Sequence, residues 1–199
     1  MAGKFRQMVL TPAVQAAQDR YYGRHHAAAA APDRDLLTDE EIAFIASRDS
    51  FYLGSLNSDG WPYVQHRGGP PGFLRVLSPT QLGFADLKGN RQLLSTGNID
   101  GNDRVALFLM DYPRRERLKI LGHARVVDAR ENPDLVERLI PAPELREEIE
   151  RLFLIEVVSF DWNCPQHITP RYTEAEIEGI VAPLRARIAE LEADRGSKV

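Results

Sequence analysis

Residues Gln65–Val76 read QHRGGPPGFLRV, and five of the eight residues from His66 to Phe73 are glycine or proline. Glycine loosens a strand and proline removes a ladder donor, so this run breaks whatever sheet it sits in. Its flanks are strand-like. Upstream, FYLGSLNSDGWPYVQ (51–65) alternates about a polar connection at Asn57–Gly60, which predicts a β-hairpin. Downstream, apolar runs predict strands at Phe73–Val76, Gln81–Ala85, Arg104–Asp111, Leu118–Asp128 and Phe153–Trp162. The break therefore lies inside a mainly β region. About six strands with short helices between them favour a small barrel over a parallel doubly wound sheet.

Helical signals lie outside and between these runs. Thr11-Pro12 predicts a helix start and a helix to about Tyr22. HHAAAAAPDRD (25–35) reads as a linker or a frayed extension stopped by Pro32. Thr38 with Glu41 forms a capping box that predicts a short helix over 39–48. GNRQLLSTGNI (89–99) has helical character, with Asn90 and Arg91 opening a short helix, and a further helical insertion covers Pro133–Leu139 and Pro143–Arg151. From Thr173 onward, Ile177, Ile180, Val181, Leu184, Ile188 and Leu191 recur every three or four residues, which predicts an amphipathic helix of about five turns. The expected organisation is a helical extension over 1–48, a β-barrel over 49–172 and a terminal helix over 173–199.

With 199 residues, 43% apolar and 27% charged, the chain can bury a real core beneath an ordinary charged surface. A net charge of −4, with no extended basic stretch, argues against a protein built to grip nucleic acid. The single cysteine, Cys164, permits no intrachain disulfide. No apolar run follows Lys4 and Arg6 as a signal peptide requires, and Ala27–Ala31 is too short for a membrane span, so the expected location is cytoplasmic. His25, His26, His66, His123 and His167 lack metal-ligand spacing. Cys164 with His167 invites a nucleophile reading, but the intervening Pro165 marks a loop and a lone cysteine more often packs as a small apolar residue. No Walker or dinucleotide glycine motif occurs.

The chemistry-bearing residues are basic and amide-rich: Gln65, His66 and Arg67; Lys88, Asn90, Arg91 and Gln92; Arg114, Arg115, Arg117 and Lys119. Donors at a helix start beside a guanidinium form a seat for one phosphate group. A solvated loop is the plain alternative for the same residues. The bare backbone at Gly68-Gly69 would let a planar ligand lie flat.

Five segments in order, GWPYVQHRGGPPGFLRV, LGFADLKGNRQLLSTGNI, DRVALFLMDYP, RLKILGHARVV and FDWNCPQHITPRY, resemble the flavin-binding split-barrel family related to pyridoxamine 5′-phosphate oxidase, over about residues 45–172. The resemblance implies a six-stranded split barrel that dimerises, with FMN shared between subunits. It places Gln65, His66, Arg67, Gly68 and Gly69 along the isoalloxazine and Asn90, Arg91 and Gln92 at the 5′-phosphate. Arg117 and Lys119 would add polar contacts, and Trp162 would lie near the flavin beside a loop from Asn163 to His167. His66 and His167 are candidates for a general acid. The family's Arg-x-x-Leu-Leu-Lys segment is replaced by QHRGGPPG, and its Arg-x-x-Pro ending by the terminal helix. Both departures argue against pyridoxamine phosphate as substrate. The implied activity is hydride or electron transfer between FMN and a reduced nicotinamide or small organic molecule. A flavin carrier or sensor without turnover, or the same barrel holding a deazaflavin or haem, stands as the alternative.

Overall fold

The computed structural model describes residues 3–27, 30–162 and 165–196; Asn163 and Cys164 lie outside the described residues. The chain divides into two compact units, Met1–Asp111 with Glu116–Cys164, and Tyr112–Arg115 with Pro165–Val199.

In the first unit, helices α1 (Gly3–Val9), α2 (Pro12–Tyr22) and α3 (Asp39–Ala46) precede the hairpin β1 (Ser50–Leu56) and β2 (Pro62–Gly68). Then come β3 (Arg75–Ser78), β4 (Gln81–Leu87), α4 (Leu94–Gly101), β5 (Arg104–Asp111), β6 (Glu116–Asp128), α5 (Pro133–Leu139) and β7 (Ile149–Trp162). The strands form one antiparallel sheet in the order β2-β1-β5-β6-β7-β4-β3. The fold is mixed α and β, as the sequence predicts, with seven strands rather than about six. The strand expected at Phe73–Val76 is β3, shifted to Arg75–Ser78 and paired only with β4, while Phe73 and Leu74 enter the core.

The hairpin closes where its turn chemistry dictates. The Asn57 side chain accepts from the Asp59 and Trp61 amides at 3.0 and 2.8 Å, and Ser50 to Leu56 pair with Gly68 to Pro62. The sheet then curls on itself. Phe51 of β1 and Phe84 of β4 lie on strands that share no ladder, yet their rings meet edge to face at 5.4 Å. Phe84 also stacks on Phe153 at 4.7 Å, and around these rings Leu53, Leu82, Leu107, Leu109, Leu118 and Ile120 are buried. Burying such side chains is the main favourable term in folding.

The glycine-proline run is the corner between β2 and β3. The Gly69 amide donates to the Asp49 carbonyl at 2.9 Å and the Gly72 amide to that of Arg48 at 2.9 Å. Phe73 turns back over Gly69, where a Cβ would meet the Phe73 side chain at 2.8 Å. Gly72 has φ +78°, and a Cβ there would lie 2.9 Å from the Ala46 carbonyl oxygen. The run thus delivers Phe73 and Leu74 into the core, where both are buried. Phe51 stacks on Phe73 at 5.6 Å.

Two helical expectations are corrected. The segment expected to be helical over Pro143–Arg151 is a 3₁₀ helix over Pro143–Glu148, and β7 begins at Ile149. There Ile149 pairs with Leu87, and Arg151 with Asp86 and Asp128, so sheet register prevails over local propensity. The helix expected to open at Asn90-Arg91 starts at Leu94, because Arg91 and Leu93 take left-handed conformations at φ 59° and 55°.

Helix α3 starts on its predicted capping residue. The Thr38 amide and hydroxyl both donate to the Glu41 carboxylate, at 2.9 and 2.6 Å, and the Trp162 indole N–H donates to its other oxygen at 2.6 Å. Trp162 also meets Phe44 edge to face at 4.7 Å.

In the second unit, α6 (Glu174–Gly196) starts at Thr173, whose amide and hydroxyl donate to Glu176 at 2.8 and 2.9 Å. Its stripe of large apolar residues, Ile177, Ile180, Leu184, Ile188 and Leu191, is exposed. Ala175, Gly179, Ala182 and Ala186 occupy the opposite face, so the charges flank the stripe rather than oppose it. Among the described residues, no helix is long and apolar enough to cross a membrane.

Burial raises the Glu41 carboxyl's pKa, but the Thr38 and Trp162 hydrogen bonds outweigh it and hold the group below 4.5. Glu41→Ala should lower the unfolding free energy in urea at neutral pH by roughly 2–3 kcal/mol, from the lost cap and the unpaired indole. With a depressed folded-state pKa, the ionised group stabilises above its unfolded value and loses this contribution as pH falls through the folded one. The gap between parent and variant should therefore narrow below about pH 4.

Candidate functional site

A polar cleft lies in the first unit where the face of β2 meets β4, β7 and the start of α4. Strand β2 is half-buried at Tyr63, Gln65 and Arg67 and exposed at Val64 and His66. A strand alternates faces with period two, so Gln65 and Arg67 enter the cleft while His66 points away. The His66 ring instead meets Tyr52 edge to face at 5.6 Å.

Arg67 crosses to strands that are not its ladder neighbours. Its Nη1 donates to Asp86 Oδ1 at 2.5 Å, and the guanidinium lies over the rings of Phe153 and Phe84 at 5.0 and 5.6 Å. Arg151 Nε donates to the other Asp86 oxygen at 3.0 Å, and its Nη2 pairs with Glu150 at 3.0 Å. The buried Asp86 carboxylate is thus shared between two arginines. Arg67 Nε is buried without a partner among the described residues.

Asn90, Arg91, Gln92 and the first turn of α4 form the rest of the wall. The Asn90 side chain accepts from the Gln92 amide at 3.2 Å, which shapes the loop. Ser95 is buried and its hydroxyl donates to Gln65 Oε1 at 2.6 Å, tying α4 to β2. The first-turn N–H groups of a helix have no intrahelical partner. In α4 they border the cleft with no acidic residue among them. The cleft has a volume of about 210 Å³, and three arginines face a single carboxylate among its lining residues. Donors of this kind beside a helix N-terminus favour an anion.

Of the residues singled out in sequence, Gln65, Arg67, Asn90, Arg91 and Gln92 line this cleft. Gly68 and Gly69 lie at the corner beyond it, and the bare face of Gly69 is covered by Phe73. Lys119 pairs with the buried Asp161 at 2.9 Å and sits 4.6 Å over the Phe5 ring. Arg117 lies over Phe108 at 5.9 Å, and Trp162 is engaged by Glu41. His167, exposed with φ 63°, belongs to the second unit. Asp86, Ser95, Thr96 and Arg151 were not anticipated. Ser95 and Thr96 lie inside the first turn of α4 with no side-chain cap to mark them, and Arg151 carries no local motif. Among the described residues, no three His, Cys, Asp or Glu side chains converge as a metal site requires.

The pyridoxamine 5′-phosphate oxidase family description matches residues 37–146, more than half of the chain. The chain belongs to that family. No curated protein matches the sequence. Among solved structures, a histidine-to-alanine variant of HupZ from Group A Streptococcus aligns at 11% identity over 64% of this chain and 100% of its own, TM-score 0.50. A candidate pyridoxamine 5′-phosphate oxidase from Lactobacillus delbrueckii aligns at 21% identity over 63% and 93%, TM-score 0.49. An FMN-binding protein from Syntrophomonas wolfei aligns at 8% over 63% and 87%, TM-score 0.44. At these identities the likeness concerns the fold alone.

Removing Asp86 would leave two part-buried guanidinium groups facing each other. Asp86→Ala is expected to cost about 3 kcal/mol in chemical denaturation. Inorganic phosphate should raise the melting temperature of this variant more than that of the parent, because it replaces the missing counter-charge.

Proposed function

From this family membership and the character of the cleft, we propose that the chain is an FMN-binding oxidoreductase that works as a homodimer, with the cofactor's 5′-phosphate in the cleft. The observation that carries the reading is the donor set: Arg67, Arg91 and Arg151, one carboxylate already shared by two of them, and the N-terminus of α4. A phosphate group suits a site where the arginines outnumber the carboxylates Asp86 and Glu150 that pair with them. Asn90 and Gln92 would fix its orientation, and Gln65, held by Ser95, would meet the part of the cofactor that runs along β2.

A volume of about 210 Å³ suits the phosphate end of the molecule, whereas whole-ligand sites usually span about 300–1,000 Å³. The remaining wall would come from a second subunit, to which Arg117, Lys119 and Trp162 are candidate contributors. The flavin, when bound, supplies the hydride and electron chemistry. The chain's own task is to hold the phosphate and orient the ring, with Arg67 and Gln65 on the cleft face of β2. The replacement of the family's Arg-x-x-Leu-Leu-Lys segment by a structural corner supports a substrate other than pyridoxamine phosphate.

A flavin carrier or sensor is the second reading, because the same donor set would hold the cofactor's phosphate whether or not the ring turns over.

Purified protein incubated with FMN should turn yellow and retain the flavin through gel filtration as a dimer; a chain that takes up no FMN would overturn the proposal. Arg91→Ala should weaken FMN binding by roughly 1.5–3 kcal/mol, about ten- to a hundredfold in Kd. Bleaching of the bound flavin by NADH or NADPH without oxygen separates an oxidoreductase from a carrier, which would stay yellow.

A further inference from the structure

We propose that α6 pairs with α6 of a second copy of this chain, antiparallel, about a two-fold axis between Val181 and Ala182. The inference is independent of the cofactor.

The stripe from Ile177 to Leu191 exposes about half of each large side chain, 47–60%, along one face of the helix. A contiguous apolar face of that length marks an interaction surface. The identity of the occupant follows from the charges. Successive helical residues turn by about 100°, which puts Glu178 and Arg185 on one flank of the stripe and Glu176 and Arg187 on the other. In an antiparallel pair, residues on the same flank of the two helices meet. With the axis at 181/182, Glu178 lies level with Arg185 of the second copy, and Glu176 level with its Arg187. The symmetry doubles both contacts. Acid thus meets base at all four positions.

The apolar residues obey the same register. Ile177 falls level with Ala186 of the second copy, Leu184 with its Gly179 and Ile188 with its Ala175. The large residues of each copy therefore enter the gaps between those of the other, as knobs enter holes. Leu191 reaches the level of Tyr172 of the second copy, which is itself 53% exposed. Pro183, the one proline in the helix, stands off the seam.

A parallel pair has neither property. It places Glu174, Glu176 and Glu178 of both copies side by side, a cluster of like charges. Within one helix, Arg185 contacts Glu178 at 3.3 Å and Arg187 contacts Glu190 at 2.8 Å. All four groups are exposed, and exposed pairs of this kind are weak enough to exchange partners.

The test uses the full chain carrying Cys164→Ser, which removes the native thiol. Val181→Cys, beside the axis, should give a disulfide-linked dimer on mild oxidation. Ala182→Cys, level with it on the opposite face, and Leu191→Cys, about 15 Å along the helix, should not. Adding Arg185→Glu and Arg187→Glu to the Val181→Cys chain should cut the linked yield by at least about fivefold. Mixing that chain with a Val181→Cys chain carrying Glu176→Arg and Glu178→Arg should restore it as a mixed dimer. Circular dichroism checks that each variant keeps its helix. Failure of Val181→Cys to link means that another partner covers the stripe, and equal linking at Leu191 means parallel alignment; either overturns the proposal. Charge reversal without effect overturns the register.

Discussion

The Arg67–Asp86 ion pair is the contact on which both the barrel and the cleft depend. Strand β2 is one edge of the sheet, and β4 lies next to the other edge. No backbone ladder joins them, so side chains must hold the curl closed. Phenyl contacts between Phe51, Phe73 and Phe84 do this inside the core. Arg67 does it at the rim, with its guanidinium on the rings of Phe84 and Phe153 and its charge on Asp86. A buried ion pair of this kind is weak evidence for net stability, because desolvation offsets much of its attraction. Its effect is geometric: it fixes where β2 stops relative to β4 and β7, and so where a cleft can open between them.

The same geometry explains which parts of the chain could be read in advance. Strand β5 was predicted residue for residue, because its apolar run from Val105 to Met110 is bounded by the charged Arg104 and Asp111. The cap on α3 was also legible, since its partners are three residues apart. Expectations failed where the deciding partner lies far along the chain. Residues 149–151 carry a polar, helix-compatible sequence, and only their pairing with β4 and β6 makes them a strand. Arg151 reaches the cleft solely through that register. Two left-handed residues delayed the start of α4 by a turn, although neither Arg91 nor Leu93 signals that conformation in its residue type. Within the site, the basic cluster at 90–92 was visible as charge, whereas His66 was grouped with Gln65 and Arg67 although strand alternation turns it to the other face.

The glycine-proline run QHRGGPPGF shows how one sequence feature admits two physical explanations. A backbone without side chains can lie against a flat ligand, or it can make room for its own neighbours. Here the neighbours take the space: Phe73 covers Gly69, and Gly72 passes the Ala46 carbonyl. The run contributes to the cleft indirectly, by turning the chain sharply after Arg67 and sending Phe73 into the core.

What remains at the cleft is a set of donors held in place before any ligand arrives. Asp86 holds Arg67 and Arg151, and Ser95 holds Gln65. Arg91 sits in a left-handed conformation that costs about 1 kcal/mol for a residue with a side chain. Strain of this kind persists only where surrounding structure enforces it, and it collects at ligand-binding loops. In the 88–93 loop, Asn90 bonds to the Gln92 amide and α4 begins directly after Leu93, so the backbone is constrained on both sides of Arg91. Orienting these groups during folding reduces the entropy lost when an anion binds. The cleft thus brings together an ion-pair network, a helix terminus and a strained loop, three features that each favour a bound anion.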